Sequence, residues 1–160
     1  MPDGTTIQRM FAEVAPGYDR ANRALSLGID QWWRRRAVRL VAVKPGERGL
    51  DVCAGTGDLS MALQRAGAVV VGTDFCAPML VIANRKNREV TGAPSFLAAD
   101  TLALPFGAHS FDFVTVAFGI RNVSDPLAGL REMARVVRPG GRVVVLEFCK
   151  PRVPLLGSLY

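Results

Sequence analysis

The chain has 160 residues, 49% of them hydrophobic and 21% charged, which is the composition of a globular domain large enough to bury its own core. Its longest apolar runs, such as 143–146, fall far short of the roughly 20 residues that cross a bilayer, and the start at Met1 lacks the pattern of a signal peptide. Three separated cysteines and one histidine exclude a disulfide framework and a zinc site, and a cytoplasmic protein is predicted.

Residues 1–44 are predicted to form a helical arm with breaks near Pro16-Gly17 and Gly28. Two tryptophans and four arginines concentrate in the segment 32–39, in a chain whose net charge is +6. Three interpretations remain open for this segment. It forms a solvated helix face, it attracts an anionic membrane with the tryptophans at the interface, or it binds nucleic acid. The last has the least support, because no nucleic-acid-binding motif accompanies the charge.

Residues 45–160 are predicted to form the core domain, because short apolar runs there alternate with segments of helical periodicity. The predicted strands are 49–54, 68–75, 95–99, 111–118 and 142–148. The predicted helices are 58–66, 77–90 and 126–137. This alternation indicates right-handed crossovers and a Rossmann-like, doubly wound α/β fold with a mostly parallel sheet covered on both faces.

A glycine turn joins the first of these strands to its helix in the segment 51–58. Gly55 and Gly57 let a ligand approach the backbone closely, at the sheet edge where open α/β sheets bind ligands. Taken alone, the turn would also fit a plain strand-to-helix connection. The aspartates that end the next two strands, Asp74 and Asp100, strengthen the case for a ligand. Asp74 is suited to the hydroxyls of an adenosine ribose and Asp100 to the adenine amino group, whereas a helix cap is the alternative for each.

Two other nucleotide-binding classes compete for this turn. A dinucleotide-dependent dehydrogenase would place a third glycine or alanine at Ser60, and the charge of Asp58 would repel a pyrophosphate at the start of the helix. A P-loop NTPase is excluded, because no G-K-[ST] follows the glycines. S-adenosylmethionine carries a sulfonium and an ammonium and no phosphate. Asp51 and Asp58 therefore favour this methyl donor, and no metal is expected.

With these residues in place, the chain resembles the ubiquinone/menaquinone biosynthesis C-methyltransferase family over nearly its whole length. The most diagnostic stretch is 118–123, Phe-Gly-Ile-Arg-Asn-Val, which is similar to the family's Phe-Gly-x-Arg-Asn-Val signature. The segments 11–28, 138–141 and 146–148 extend the match. The resemblance implies a class I methyltransferase, and this chain ends before the sixth and seventh strands that such enzymes carry.

The resemblance also implies particular cofactor contacts, at Thr56, Asp74, Asp100 and Thr101. Together with the glycine turn and its neighbours, the predicted cofactor-binding residues are Asp51, Gly55, Thr56, Gly57, Asp74, Phe75, Asp100, Thr101 and Ala117. Ala117 stands where relatives often have a serine, so a side-chain hydrogen bond is not expected there.

The implied reaction moves a methyl group to a ring carbon of a prenylated quinol, which becomes nucleophilic once the neighbouring hydroxyl loses its proton. Arg121 is predicted to stabilise the resulting phenolate and Asn122 to orient the ring. Tyr18 is predicted to close over the cofactor, and Asp58 to act near the sulfonium. Structural roles are the alternative, with Arg121 and Asn122 capping a turn and Tyr18 in the core.

Two further functions remain open: methylation of another lipid-like or small acceptor, and a truncated domain that binds S-adenosylmethionine without turnover. The expected partners are a prenylated quinol, an anionic membrane surface and a second copy of the chain, and not nucleic acid.

Overall fold

The computed structural model describes residues 4–148. The arm consists of α1 (Gly4–Val14), α2 (Tyr18–Leu25) and α3 (Ile29–Val41). The core then runs β1 (Arg48–Val52), α4 (Asp58–Arg65), β2 (Val69–Asp74), α5 (Ala77–Asn87), β3 (Ser95–Ala98), β4 (Phe111–Ala117), α6 (Pro126–Val136) and β5 (Val137–Leu146). Short 3₁₀ turns cover Ala15–Gly17 and Ile120–Asn122.

The five strands form one parallel sheet in the order β3-β2-β1-β4-β5, which confirms the predicted doubly wound α/β fold. The chain winds outward in one direction through β2 and β3 and in the other through β4 and β5. The winding therefore reverses between β1 and β4. In open α/β sheets, the crevice at the carboxyl ends of such a strand pair is where ligands bind.

Each face of the sheet carries its own apolar cluster, because successive side chains of a strand point to opposite faces. On one face, Val114 and Val116 of β4 pack with Met133 of α6. On the other face, Phe113 packs with residues of α3 and α4 that include Val41. The helix α3 therefore shares the core of the sheet. The boundary at residue 44 between arm and core domain remains a prediction.

The predicted breaks in the arm are confirmed, but the predicted start of the fifth strand at residue 142 was wrong. The strand begins at Val137, which pairs with Phe111, and the register shifts before Phe113 pairs with Arg142. Pro139 and two glycines lie in this interruption, and they favoured a turn in the sequence. The structure accommodates them as an irregular segment of β5.

The ring of Phe96 in β3 fills the space above two glycines. A Cβ at Gly72 of β2 would lie 2.6 Å from ring carbons, and a Cβ at Gly57 would lie 2.6 Å from the ring's Cζ. Real Cβ contacts do not occur at such distances, so both positions need glycine while the ring is in place. Phe96 thus fixes how closely the glycine turn approaches the sheet.

Within residues 4–148, no helix is both long and apolar enough to span a bilayer. The same residues contain no group of three or more histidine, cysteine, aspartate or glutamate side chains arranged to hold a metal ion. Cys149, one of the three cysteines considered above, lies outside the described residues.

Candidate active site

Two cavities adjoin at the carboxyl ends of β1 and β4. The smaller, of about 200 Å³, lies towards β2 and is called the β2-side cavity. The larger, of about 320 Å³, lies under α2 and α3 and is called the arm-side cavity. The residues that line both are Tyr18, Cys53, Gly55, Ala117 and Phe118. Because the cavities share this wall, one extended ligand can reach into both.

The β2-side cavity brings together the residues predicted to hold a nucleoside. Asp74, Phe75, Asp100 and Thr101 all line it. Apolar side chains complete the lining, among them Met79. Carboxylates beside an apolar surface suit a sugar with hydroxyls attached to a flat base.

Asp74 is buried and holds the glycine turn against β2. Its Oδ2 accepts a hydrogen bond from the Gly55 N–H at 2.8 Å, and its Oδ1 accepts one from the Cys76 N–H at 2.8 Å. Burial raises the pKa of Asp74 above its ordinary value, although these backbone donors oppose the shift. Each carboxylate oxygen has more than one acceptor site, so both can still receive a hydroxyl.

The two residues at the end of β3 differ in exposure. Asp100 is exposed, and its Oδ1 accepts a hydrogen bond from the Leu102 N–H at 2.9 Å, which is the kind of backbone contact its capping alternative anticipated. Thr101 is buried, with its Oγ1 3.5 Å from the Cys53 Sγ. Both still line the cavity, so a backbone contact and a ligand contact are compatible at this strand end.

The two glycines of the turn serve different ends. Gly55 has a φ of +55°, and a Cβ built on it would meet no atom within 4 Å. Since Gly55 lines both cavities, that Cβ would project into the space a ligand needs. Gly57 faces Phe96 and lines neither cavity, so its cofactor contact remains a prediction.

Asp51 forms part of the lining of the arm-side cavity but is almost fully buried. Its two oxygens accept hydrogen bonds from the Ser60 Oγ at 2.6 Å and from the Thr115 Oγ1 at 2.8 Å. Burial raises the pKa of Asp51 to about 6, against the effect of these hydroxyls. Ser60 stands where a dinucleotide motif would have its third glycine, and here its hydroxyl orients a carboxylate.

A charged network ties the arm to the glycine turn. Thr56 donates from Oγ1 to the Asp19 Oδ1 at 2.6 Å, and the Lys86 Nζ donates to the Asp19 Oδ2 at 2.9 Å. Burial acts to raise the pKa of Asp19, but these two donors and nearby cations hold it below the ordinary value. Asp58 pairs with Lys86 and lies 3.7 Å from an Arg34 nitrogen. Its charge is therefore compensated within the protein, and its predicted role near a sulfonium remains a prediction.

Arg121 lies at the rim of the arm-side cavity beside a cluster of three aromatic rings. Its guanidinium pairs with Glu147, and its Cζ lies 5.6 Å from the centroid of the Phe148 ring. The rings of Trp33, Phe118 and Phe148 lie 4.8 to 5.7 Å apart, centroid to centroid. A half-exposed cation over an apolar wall can stabilise an oxygen anion on a bound aromatic ring.

The structure separates two residues that the sequence analysis grouped. Arg121 lines the arm-side cavity, whereas Asn122 lines the β2-side cavity. Tyr18 borders both and packs against Phe11 with ring centroids 6.1 Å apart. Tyr18 therefore lies at the wall that both cavities share, and its closing over the cofactor remains a prediction.

The shared wall contains two residues in an unfavourable backbone conformation. Cys53 has a φ of +54° and Phe118 a φ of +56°, values that side-chain-bearing residues rarely adopt. Next to Phe118, a Cβ on Gly119 would lie 2.3 Å from that of Cys53, so the two loops meet at closest approach. Strained conformations of this kind concentrate at ligand sites.

Sequence reasoning missed several residues of this site, namely Asp19, Trp33, Ser60, Lys86, Thr115 and Glu147. Glu147 had a detectable signal, because it follows β5 as Asp100 follows β3. The others come from helices or from mid-strand, and their partners lie 9 to 115 residues away in the chain. No local motif marks contacts of that range.

Comparison with known proteins agrees with this geometry. The family model described as "ubiE/COQ5 methyltransferase family" matches residues 2–160. The chain is 53% identical over 153 residues to a demethylmenaquinone methyltransferase of Thermus thermophilus, covering 94% of this chain and 70% of that protein. It is 44% identical over 161 residues to a ubiquinone/menaquinone biosynthesis C-methyltransferase, UbiE, of Bdellovibrio bacteriovorus, covering 99% of this chain and 68% of that protein.

A solved structure shares the fold as well. It is the phosphoethanolamine N-methyltransferase 2 of Haemonchus contortus in complex with S-adenosyl-L-methionine. It matches with a TM-score of 0.66 and 25% sequence identity, over 70% of this chain and 27% of that one.

Proposed function

This chain belongs to the ubiE/COQ5 methyltransferase family, and from that premise we propose that it transfers a methyl group from S-adenosylmethionine to a ring carbon of a prenylated quinol. One observation carries the proposal. A cavity with acceptors for an adenosine shares a wall with a second cavity in which a cation lies over aromatic rings. A donor and an acceptor in these two spaces would meet at the shared wall.

The residues present fit S-adenosylmethionine. Gly55 leaves open space where any side chain would obstruct the ligand, and Asp74 keeps acceptor sites for ribose hydroxyls. Asp100 is exposed beside the apolar part of the β2-side cavity, where it can accept from an adenine amino group. When bound, S-adenosylmethionine supplies an electrophilic methyl group. Asp51 adds negative charge beneath the arm-side cavity without an ion-pair partner among residues 4–148, which suits a cationic donor.

On the acceptor side, the residues act on the quinol hydroxyl. Arg121 places a guanidinium where it can stabilise the oxygen after deprotonation, which increases the electron density on the neighbouring ring carbon. Glu147 holds Arg121 in place through their ion pair. Trp33, Phe118 and Phe148 supply the apolar surface on which the quinol ring packs and from which water is excluded.

An apolar acceptor also implies contact with a membrane, and we propose that the chain is a cytoplasmic protein that binds an anionic bilayer peripherally. The sequence prediction relied on residues 32–36. Trp33 instead forms part of the cavity wall, and Arg34 pairs with Asp30. The outward-facing residues are Trp32, Arg35 and Arg36. The homodimer remains a prediction.

The test of the reaction combines cells and purified protein. Mass spectrometry of quinones in cells lacking the chain should reveal an accumulated demethyl quinone, and its ring system would identify the acceptor as a benzoquinol or a naphthoquinol. Purified chain with S-adenosylmethionine should methylate that same quinol. Binding of S-adenosylmethionine without transfer to any quinol would instead favour a non-catalytic domain, and transfer to a different lipid would replace the acceptor.

A further inference from the structure

The turn between α2 and α3 exposes large apolar side chains beside the arm-side cavity. Leu25, which lines that cavity, is 86% exposed and Leu27 is 87% exposed. Ile29 and Trp32, one helical turn apart at the start of α3, continue the exposed apolar surface. These four residues are called the arm tip. An apolar patch that opens beside a cavity is typical of a surface that meets another apolar phase.

Leu27 adds an independent observation. Its φ is +49°, a left-handed conformation that costs about 1 kcal/mol for a residue with a branched side chain. A leucine normally offsets such a cost by burying its side chain, yet here almost none is buried. Leu27 therefore contributes nothing to the fold that asparagine or glycine would not contribute at lower strain. Its side chain is available for a contact outside the protein.

A groove of about 380 Å³ between α2–α3 and α4–α5 is lined by five cations and one acid. The cations are Arg23, Arg34, Arg35, Arg65 and Lys86, and the acid is Asp58. Arg34 pairs with Asp30 and Asp58. Lys86 pairs with Asp19 and Asp58. Arg23, Arg35 and Arg65 make no ion pair within the described part of the chain, residues 4–148. This cationic groove thus has three guanidinium groups free to bind an anion.

The cationic groove and the arm tip meet on α3. Arg35 of the groove follows Trp32 of the arm tip by one helical turn, so the two side chains lie on the same face of the helix. Guanidinium groups bind phosphate through paired N–H donors, which ammonium groups cannot do with the same geometry. Phosphate and apolar chains occur side by side at the surface of an anionic bilayer.

We propose that the cationic groove binds the phosphate headgroup of an anionic phospholipid while the arm tip enters the acyl region. In this position the arm-side cavity opens towards the lipid, from which a prenylated acceptor enters. The inference names the surface for the peripheral bilayer binding proposed above, and it rests on the proposed reaction only for that acceptor. A free phosphate would use the groove and leave the arm tip without a role, so the combination of the two surfaces favours a lipid.

The first experiment measures co-sedimentation of the 160-residue chain with vesicles. Phosphatidylcholine vesicles should bind weakly, and replacing a third of the lipid with phosphatidylglycerol should strengthen binding. Each groove arginine near the surface should contribute about fivefold in affinity, so Arg23→Gln with Arg65→Gln should weaken binding roughly 25-fold. The control is Arg131→Gln, an exposed arginine of α6, which packs on the other face of the sheet and should change binding less than about twofold.

The second experiment tests the arm tip with Leu27→Asn, because asparagine tolerates a positive φ. Tm should stay the same or rise, whereas vesicle affinity should fall about tenfold through the loss of one buried leucine. A lower Tm without lipid would overturn the proposal, because the arm tip would then pack against the chain itself. Equal binding to both vesicle types would overturn the role of the groove.

Two further measurements distinguish a lipid from a soluble anion, and the docking surface from the proposed function. If soluble glycerol phosphate, or an acidic peptide, competes fully with vesicles at micromolar concentration, the occupant is not a lipid. Affinity for S-adenosylmethionine and methyl transfer to a water-soluble quinol without a prenyl chain should be unchanged in the groove and Leu27 variants. A chain that binds anionic vesicles as expected but methylates no quinol would overturn the proposed function and support the docking surface alone.

Discussion

The two edges of the sheet hold their carboxylates in opposite ways. At the amino edge, Glu47 precedes β1 and lies 2.5 Å from an Arg142 nitrogen, and Asp112 near the start of β4 lies 2.8 Å from the Arg138 Nε. The side-chain hydrogen bond from Arg142 lowers the pKa of Glu47 to about 2, although the burial of Glu47 opposes the shift. Both carboxylates are thus paired with an arginine of β5.

At the carboxyl edge, the strand-end aspartates lack such partners. Asp51 and Asp74 are buried, accept hydrogen bonds from neutral hydroxyls and backbone N–H groups, and have pKa values raised by burial. Neither makes an ion pair with any of residues 4–148. Glu147, which follows β5, differs because it pairs with Arg121.

The difference indicates where the protein gives up stability for function. A paired carboxylate has its charge neutralised and offers little to a ligand, whereas one held by neutral donors keeps its negative charge for a cation. Burying that charge without a counterion costs stability, which the amino edge and the two apolar clusters supply. Substitutions at the amino edge should therefore affect folding, and those at the carboxyl edge should affect binding and chemistry.

The largest effect is expected from Arg121→Met at the carboxyl edge. Methyl transfer should fall by roughly two orders of magnitude or more, the usual scale for losing one electrostatic contributor to a transition state. Affinity for S-adenosylmethionine, measured by calorimetry, should remain nearly intact. Arg121→Lys should rescue little, because lysine lacks the planar donor fork.

The matched control for this prediction is Arg142→Met, which removes an arginine–glutamate pair from the amino edge. It should lower Tm but leave the rate per folded molecule unchanged, since it is remote from both cavities. Equal losses of stability and cofactor affinity in Arg121→Met would contradict the catalytic assignment and make the Arg121–Glu147 pair structural.

Next in size is Asp74→Ala, which should weaken S-adenosylmethionine binding by about 2 kcal/mol, because ribose hydroxyls lose a charged acceptor. Asp74→Asn should have an affinity for S-adenosylmethionine between those of the unaltered chain and Asp74→Ala, since asparagine keeps one acceptor oxygen for the Gly55 N–H. Calorimetry on Asp112→Ala, the amino-edge counterpart, should show unchanged affinity. A micromolar affinity for NADH in the unaltered chain would instead revive the dehydrogenase alternative.

Glu47→Gln should lower the free energy of unfolding at pH 7 by about 1.5 kcal/mol, the low end for a hydrogen bond to a charged group. The folded pKa near 2 lies below the ordinary 4.5. The stabilisation is therefore complete above about pH 4.5 and is lost as the pH falls towards 2. Denaturant unfolding across this range should show a shallower acid loss in the variant, and an unchanged slope would refute the ion pair as its source.

Asp51→Asn should change how the free energy of unfolding depends on pH, with the sign opposite to that of Glu47→Gln. The folded pKa near 6 lies above the ordinary 3.8, so this group stabilises the folded state most below pH 3.8. That contribution is lost as the pH rises through 6. Unfolding free energies measured from pH 4 to 8 should therefore decline less in the variant. If the free energies of unfolding of wild type and variant change in parallel with pH, Asp51 is not titrating in this range.

The sequence predicted the fold well, because the apolar runs of the strands and the breaks at Pro16-Gly17 and Gly28 are local signals. It also located the carboxyl-edge aspartates, since the ends of parallel strands always meet at one edge. It failed at the start of β5, which it placed at residue 142 and which lies at Val137. It could not find Lys86 or Trp33, because their partners are brought close only by tertiary packing.

Predicting which residues point into the arm-side cavity was also beyond the sequence. Trp32 and Trp33 are adjacent in the chain and look equivalent, yet one is exposed and the other contacts Phe118 and Phe148. Successive helical residues are rotated by about 100°, so their roles depend on how α3 is seated on the sheet. That seating is set by Ala37 and Val41, which pack into the core.

Phe96, Gly57 and Gly72 lie far apart in the sequence, but their contacts couple the substitutions that each position can accept. Replacing Phe96 with alanine would remove the ring carbons that lie 2.6 Å from a Cβ at Gly72, and the Ser60 Oγ at 3.0 Å would then be the nearest atom. The second change should therefore be tolerated only after the first, and a double-mutant cycle should be strongly non-additive. Across relatives, a small residue at 96 should accompany side chains at 72, and a phenylalanine should forbid them. The packing of the Phe96 ring thus determines the order in which substitutions can accumulate near the glycine turn.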